Sequence, residues 1–215
     1  MSDENEYQGM NEARTRRTRI IAWVVMRLYR QGHFSSKYWS FFGKWTTWRF
    51  LLEGFAGTME VALTAGAIAL VLGVLFMLGR ISKNKAVSTI FRVIINFFRG
   101  IPSLLLIYFF FLVLPGYGFK IPSFWMLALP ISLTASGVLA EVFRAGVNAV
   151  PKGQVEAALS IGLTDGQVMR KIVLPQAIRY VIPSLISQLV VVVKDTSVAY
   201  VVSFPDILQN GRVLI

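Results

Sequence analysis

The chain has 215 residues, of which 55% are hydrophobic and only 15% charged, with a mean hydropathy of +0.60. That is more apolar surface than one water-soluble core can hide, so the composition excludes an ordinary soluble domain and puts the chain in a bilayer. The formal net charge of +11 is no sign of nucleic-acid binding, because the basic residues gather at the ends of apolar stretches, where positive-inside topology and anionic lipid head groups account for them.

The amino-terminal tail carries Arg14, Arg16, Arg17 and Arg19. The apolar run that follows, Ile20 to Met26, is seven residues long before Arg27 interrupts it. That is too short to cross hydrocarbon. Residues 38–55 hold Tyr38, Trp39, Phe41, Phe42, Trp45, Trp48 and Phe50, the composition of an aromatic interfacial belt. Residues 1–56 are thus expected to form a basic tail and interfacial segment, and residues 57–215 a transmembrane domain.

Val61 to Gly79 is an uncharged stretch of nineteen residues, long enough for a first span. Ala65, Ala69 and Gly73 recur within it at four-residue spacing, a stripe that permits close helix packing in lipid. Ala86 to Phe98 is apolar but broken by Arg92 and closed by Arg99-Gly100-Ile101-Pro102. It reads as an interfacial segment bent at the Gly and Pro. A second span is expected over Ile101–Gly118, a third from about Ser123 to Arg144, and a fourth from about Ile172 to Val193, bent by Pro175 and Pro183.

The segment between the third and fourth spans, about 145–171, has the most specific pattern. Pro151 suits a first helical position, Val155 to Ile161 holds good helix formers, and Gly162 is placed as a C-terminal cap. Thr164 and Gln167 have capping-box spacing, so a second helix starts at Thr164. Within the first helix Glu156 lies beside the small Ala157 and Ala158, a profile that lets it sit closely in a groove of another protein. Loop charge sets orientation. Arg80, Lys83 and Lys85 follow the first span and Arg144, Lys152, Arg170 and Lys171 the third, against Lys120 alone between the second and third. The 145–171 loop is therefore expected to be cytoplasmic.

Catalytic chemistry has little to work with. There is no cysteine, the single histidine, His33, lies in the polar amino-terminal segment, and no GxxxxGK[ST] loop occurs. The chain cannot hold ATP in the P-loop manner. The polar residues that would line a path through lipid are Glu60, Asn96, Thr134, Ser136, Ser184, Ser187 and Gln188, with Ser184 and Gln188 on one helix face. Each has an alternative role in bonding a neighbouring backbone carbonyl.

Residues 141–175, read as Glu-Val-Phe-Arg-Ala-Gly, Val-Pro-Lys-Gly-Gln, Glu-Ala-Ala, Gly-Leu and Ile-Val-Leu-Pro-Gln-Ala, closely resemble the permease subunits of binding-protein-dependent ABC importers. Arg99-Gly100-Ile101-Pro102 and Lys194-Asp195-Thr196-Ser197 narrow the resemblance to the polar amino-acid branch, the permeases for glutamate, glutamine, histidine and arginine. It implies an all-α integral membrane protein with a type I importer helix bundle in a bacterial inner membrane. It also implies a second permease subunit, as homo- or heterodimer, an ATP-binding subunit that carries ATP and Mg, and an extracytoplasmic solute-binding protein. The chain itself would hold no cofactor and no metal, and would be a transport subunit rather than an enzyme.

By position, Gln154, Glu156, Ala157, Ala158, Gly162 and Leu163 match the family's coupling helix, which docks on the ATPase. Glu60, Ser184, Ser187 and Gln188 remain the translocation-path candidates. The family pattern continues past Asn210-Gly211-Arg212 into a fifth core span, while this sequence stops at Ile215. The expectation is four visible core spans with the fifth missing, in a fragment or a truncated product. A permease of the same superfamily for methionine or a quaternary ammonium solute is the alternative, and the two branch stretches argue against it. A stand-alone secondary transporter is a more distant alternative, lacking an internal repeat.

Overall fold

The computed structural model describes residues 2–32 and 35–214, with side chains undescribed at 2–14 and 37–38. His33 and its expected surface position lie outside the described residues. All regular structure among those residues is helical. The backbone divides into two units, Met1–Phe50 and Leu51–Ile215.

In the first unit, helix α1 (Ser2–Arg30) takes in the apolar run Ile20 to Met26 without a break. It is not among the helices long and apolar enough to span a bilayer. Two short helical turns, Ser36–Trp39 and Ser40–Gly43, then gather part of the expected aromatic belt. Phe42 sits 4.2 Å from Phe41, 5.8 Å from Trp39 and 5.9 Å from Trp48 between ring centres. The Trp48 indole N–H donates to the Phe42 carbonyl at 2.7 Å. Aromatic faces thus pack on one another while the indole finds its acceptor. Trp45 is left exposed.

The second unit is a helix bundle. Three helices are long and apolar enough to cross a membrane: α2 (Trp45–Arg80), α5 (Ser123–Asn148) and α7 (Asp165–Val202). Between them come α3 (Lys85–Gly100) and α4 (Ser103–Gly116), which qualify only as a pair bent by 95°. After α5 comes the short α6 (Lys152–Ser160), and after α7 the terminal α8 (Ile207–Val213).

α5 is the hub. Within its apolar window 67% is buried inside the chain, against 39% for α2 and 22% for α7. The expected small-residue stripe works as its packing seam: Ala65 and Ala69 are fully buried, and a Cβ at Gly73 would come within 2.8 Å of the Leu139 Cβ. Where α5 meets α7, a Cβ at Gly146 would collide with the Val181 side chain. With lipid outside as apolar as the core, such close backbone approaches hold the helices together.

Several expected boundaries move. The segment around Ala86 to Phe98 is folded into the bundle as α3. α3 packs along α5, where a Cβ at Gly137 would meet the Ile95 carbonyl at 3.1 Å, and against the end of α2, where Phe91 covers Gly79. Ile95 is buried with Met77 and Ala140. Its start is fixed by Asn84, whose side chain accepts from the Ala86 N–H at 2.9 Å, and its exposed Arg92 keeps the charge off that buried face.

The expected second span, Ile101–Gly118, shortens to α4. At about 1.5 Å per residue it reaches about 21 Å, less than a hydrocarbon core of about 30 Å. Crossing therefore needs α3 and α4 together, with the bend at Gly100-Ile101-Pro102. The fourth span, expected from Ile172 to Val193, starts earlier and ends later as α7. Pro175 directly follows a π turn over Met169–Val173, which accommodates its missing N–H. The Gln176 side chain also donates to the Ile172 carbonyl at 3.0 Å.

Candidate functional site

The loop between α5 and α7 is built as a rigid knuckle. Pro151 precedes α6 rather than opening it, with φ −58° and ψ 132°, so the helix covers Lys152–Ser160. At its far end Gly162 has φ 86°, a left-handed conformation that an L side chain resists. The Gly162 N–H donates to the Leu159 carbonyl at 2.9 Å and the Leu163 N–H to the Ala158 carbonyl at 3.2 Å. That pair of bonds is a Schellman cap.

Two residues on, the Thr164 hydroxyl accepts from the Gln167 N–H at 3.4 Å while the Gln167 side chain accepts from the Thr164 N–H at 2.9 Å. The capping box opens α7 itself, so the helix expected at Thr164 and the fourth span are one element. A four-residue turn is all that separates α6 from α7.

The knuckle has an inner and an outer face. Val150, Ala158, Val168, Val173 and Ala177 are buried together, with Val155, Leu163 and Ile172 packed against them. Ala158 is thus a packing residue turned inward, at 5% exposure, rather than a contact for a partner, because the tight α6–α7 turn needs a small side chain at the crossing. Leu163 is half-buried in the same cluster. Gln154, Glu156, Ala157 and Gly162 face outward. Between them stands Ile161, 79% exposed, with Leu159 also exposed. Sequence reasoning missed Ile161; an apolar residue directly before a capping glycine on a polar face was the available signal. The turn is also tied to the α2–α3 connection by Lys83 and Asp165, 3.3 Å apart and both exposed.

The polar candidates for a path separate in the structure. Gln188 lines a cleft of about 410 Å³ between α2 and α7, where its neighbours include Leu63, Gly66, Leu70 and Leu189 and every other lining residue is apolar or glycine. Ser184 and Ser187 are exposed and do not line it; the Ser187 hydroxyl donates to the Pro183 carbonyl at 3.1 Å. Thr134 and Ser136 are buried and spend their hydroxyls on α5's own carbonyls. Glu60 and Asn96 are exposed on α2 and α3.

A proximity the sequence did not foreshadow joins the two branch stretches: the side chain of Ser103, just after Arg99-Gly100-Ile101-Pro102, lies beside that of Asp195 in Lys194-Asp195-Thr196-Ser197. Beyond α7, Asp206 caps α8 through an Oδ1 bond from the Gln209 N–H at 2.8 Å.

Residues 67–207, which take in the knuckle, most of the cleft and the Ser103–Asp195 pair, match the family described as binding-protein-dependent transport system inner membrane component. The chain belongs to that family. It is a permease subunit of an ABC importer, with the all-helical type I importer fold, and a multi-pass membrane protein. Among curated relatives, the permease is 32% identical over 163 residues to the arginine transport system permease protein ArtQ of Bacillus subtilis, covering 75% of this chain and 74% of that one. It is 35% identical over 171 residues to the glutamate transport system permease protein GluD of Corynebacterium glutamicum, covering 78% and 62%. A solved structure described as an amino acid ABC transporter with histidines superposes with a TM-score of 0.74 at 28% identity, over 77% of this chain and 78% of that one. The methionine transporter MetNI, at 22% identity and a TM-score of 0.64 over 77% and 80%, shares the fold.

Proposed function

We propose that this permease imports a polar amino acid, glutamate or a close relative, and that the outer face of α6 docks in a groove of a separate ATP-binding subunit on the cytoplasmic side. The observation that carries the docking is the knuckle itself. A short helix closed by the Gly162 cap presents Glu156, Ala157 and Ile161 to solvent while its inner face is packed against the start of α7. Among the described residues the Glu156 carboxylate has no basic partner, which leaves it available to orient the contact.

ATP and Mg belong to the ATP-binding subunit, whose closure moves α6 and, through the four-residue turn, α7. An extracytoplasmic solute-binding protein supplies the substrate, and a second permease subunit, identical or related, completes the path; the sparse burial of α7 within one chain supports such a pairing. The amino-acid assignment is supported by the names of the relatives. Gln188 is the residue we place against the passing substrate, because it brings an amide to an otherwise apolar cleft between two spanning helices.

The test is uptake by proteoliposomes of labelled glutamate, glutamine, arginine and histidine. The permease assembled with its ATPase and binding protein should accumulate one of them in proportion to ATP consumed, and the permease alone should be inert. Uptake driven by an ion gradient without the ATPase would overturn the reading.

A further inference from the structure

The matched family region begins at residue 67, so it says nothing about α1, and α1 carries a pattern of its own. Between residues 13 and 30 there are six arginines and no carboxylate. Arg16, Arg19, Trp23, Arg27 and Arg30 follow one another at spacings of three and four, which puts them in a line along one face. Ile21, Val24, Val25 and Leu28 fall on the opposite face, and all four are exposed, as are Ile20, Met26 and Tyr29. Arg17 sits at the amino-terminal end of that apolar face, where its long stem can carry the guanidinium away from it.

The basic face is shaped as well as charged. The Arg27 guanidinium lies 5.2 Å over the Trp23 ring, and Trp23, Met26, Arg27, Arg30 and Gln31 line a hollow of about 320 Å³. Two guanidinium groups one helical turn apart repel each other unless an anion lies between them, and guanidinium is the side chain best matched to a phosphate. An indole beside them is the group that settles at the level of lipid head groups.

We propose that residues 15–30 of α1 lie flat on the bilayer surface and bind anionic phospholipid, with Ile21, Val24, Val25 and Leu28 dipped into the acyl boundary and the Arg16, Arg19, Arg27 and Arg30 line on the phosphates. Two features of the helix select this occupant over others. A nucleic acid would engage the arginine line but leave the apolar face in water, which is costly for a patch of this size. A second copy would cover the apolar face but bring like-charged arginine lines together. A bilayer covers both, and a protein with spanning helices is already beside one. Lying flat also suits the length, since residues 15–30 are too short and too charged to cross.

The chain has no cysteine, so single spin labels can be placed in the full-length permease without background. Val24→Cys, Leu28→Cys and Arg19→Cys variants would be labelled in nanodiscs of phosphatidylcholine alone and of phosphatidylcholine mixed with phosphatidylglycerol. Accessibility to oxygen and to a water-soluble nickel chelate is then measured. With phosphatidylglycerol present, the labels at 24 and 28 should be several-fold less accessible to the chelate than the label at 19. That protection should fall in phosphatidylcholine alone, and in a background with Arg16, Arg27 and Arg30 each changed to Gln. Equal chelate access at all three sites would overturn the proposal. So would protection that ignores lipid charge, or dipolar broadening showing two α1 helices side by side.

Discussion

The permease ends two of its helices with the same set of hydrogen bonds and uses them in opposite ways. After α6, Gly162 adopts φ 86° with the bond pair Gly162 to Leu159 and Leu163 to Ala158. After α7, Ser203 adopts φ 54° with the matching pair, Ser203 to Tyr200 at 3.3 Å and Phe204 to Ala199 at 3.2 Å. At Gly162 a Cβ would meet nothing within 4 Å, so no neighbour crowds the outer side of that turn. At Ser203 the chain is clamped from outside. The Thr58 hydroxyl of α2 accepts from the Ile207 N–H at 3.1 Å, Phe204 packs 6.0 Å from Phe124, and a Cβ at Gly57 would come within 2.5 Å of the Pro205 carbonyl.

A left-handed serine is tolerated where tertiary contacts over-determine the backbone, whereas the exposed turn needs glycine. One cap is an open joint. The other is a weld.

If the second turn is a weld, crowding it should do the most damage. Gly57→Leu is expected to push the Pro205–Asp206 segment off α2 and destabilise the permease by about 1–3 kcal/mol, read as an earlier unfolding midpoint in detergent. A midpoint unchanged from the parent would show that the clamp contributes nothing. Gly162→Val comes next. A branched residue in the left-handed region costs on the order of 1–2 kcal/mol, enough to reshape an unsupported turn while insertion and folding survive. ATP hydrolysis and uptake should then separate, and normal coupled uptake by this variant would break the comparison.

Ser203→Gly sharpens it from the other side. Relief of the left-handed strain, partly offset by a freer unfolded chain, should stabilise by about 0.5 kcal/mol, seen as a small upward shift of the midpoint with transport unaltered. The smallest effect belongs to Lys83→Ala. Its ion pair with Asp165 is exposed on both sides, so the change should stay within about 0.5 kcal/mol; a larger loss of stability would mean that the joint is held from outside after all.

Much of this was legible in the sequence because it is local. The Thr164–Gln167 box, the Gly162 cap, the bend at Gly100-Ile101-Pro102 and the Ala65, Ala69, Gly73 stripe each depend on a few neighbouring residues and their helical spacing. What the sequence withheld is tertiary. Ser103 and Asp195 are far apart in the chain, and nothing in either stretch names the other. Ala158 belongs to a motif that suggests contact with a partner, yet only the fold of α6 back onto Val150 and Val173 shows that it faces inward. Ser203 carries no signal of a left-handed residue, since its conformation is imposed by α2 and Phe124. The continuity of α7 was hidden by Arg170 and Lys171, which end the apolar run at Ile172 although the helix runs on through them.

The outer face of α6 is proposed as the surface through which an ATP-binding subunit moves α7. Ile161→Cys in this cysteine-free chain tests it directly, with a thiol cross-linker and an ATPase carrying single cysteines around its groove. The assembled importer should give an α6-to-ATPase cross-link, shield the introduced thiol from a water-soluble maleimide, and lose both when Glu156→Lys is added. A thiol that reacts as fast in the assembled importer as in the isolated permease, with no cross-link formed, would contradict the docking of α6.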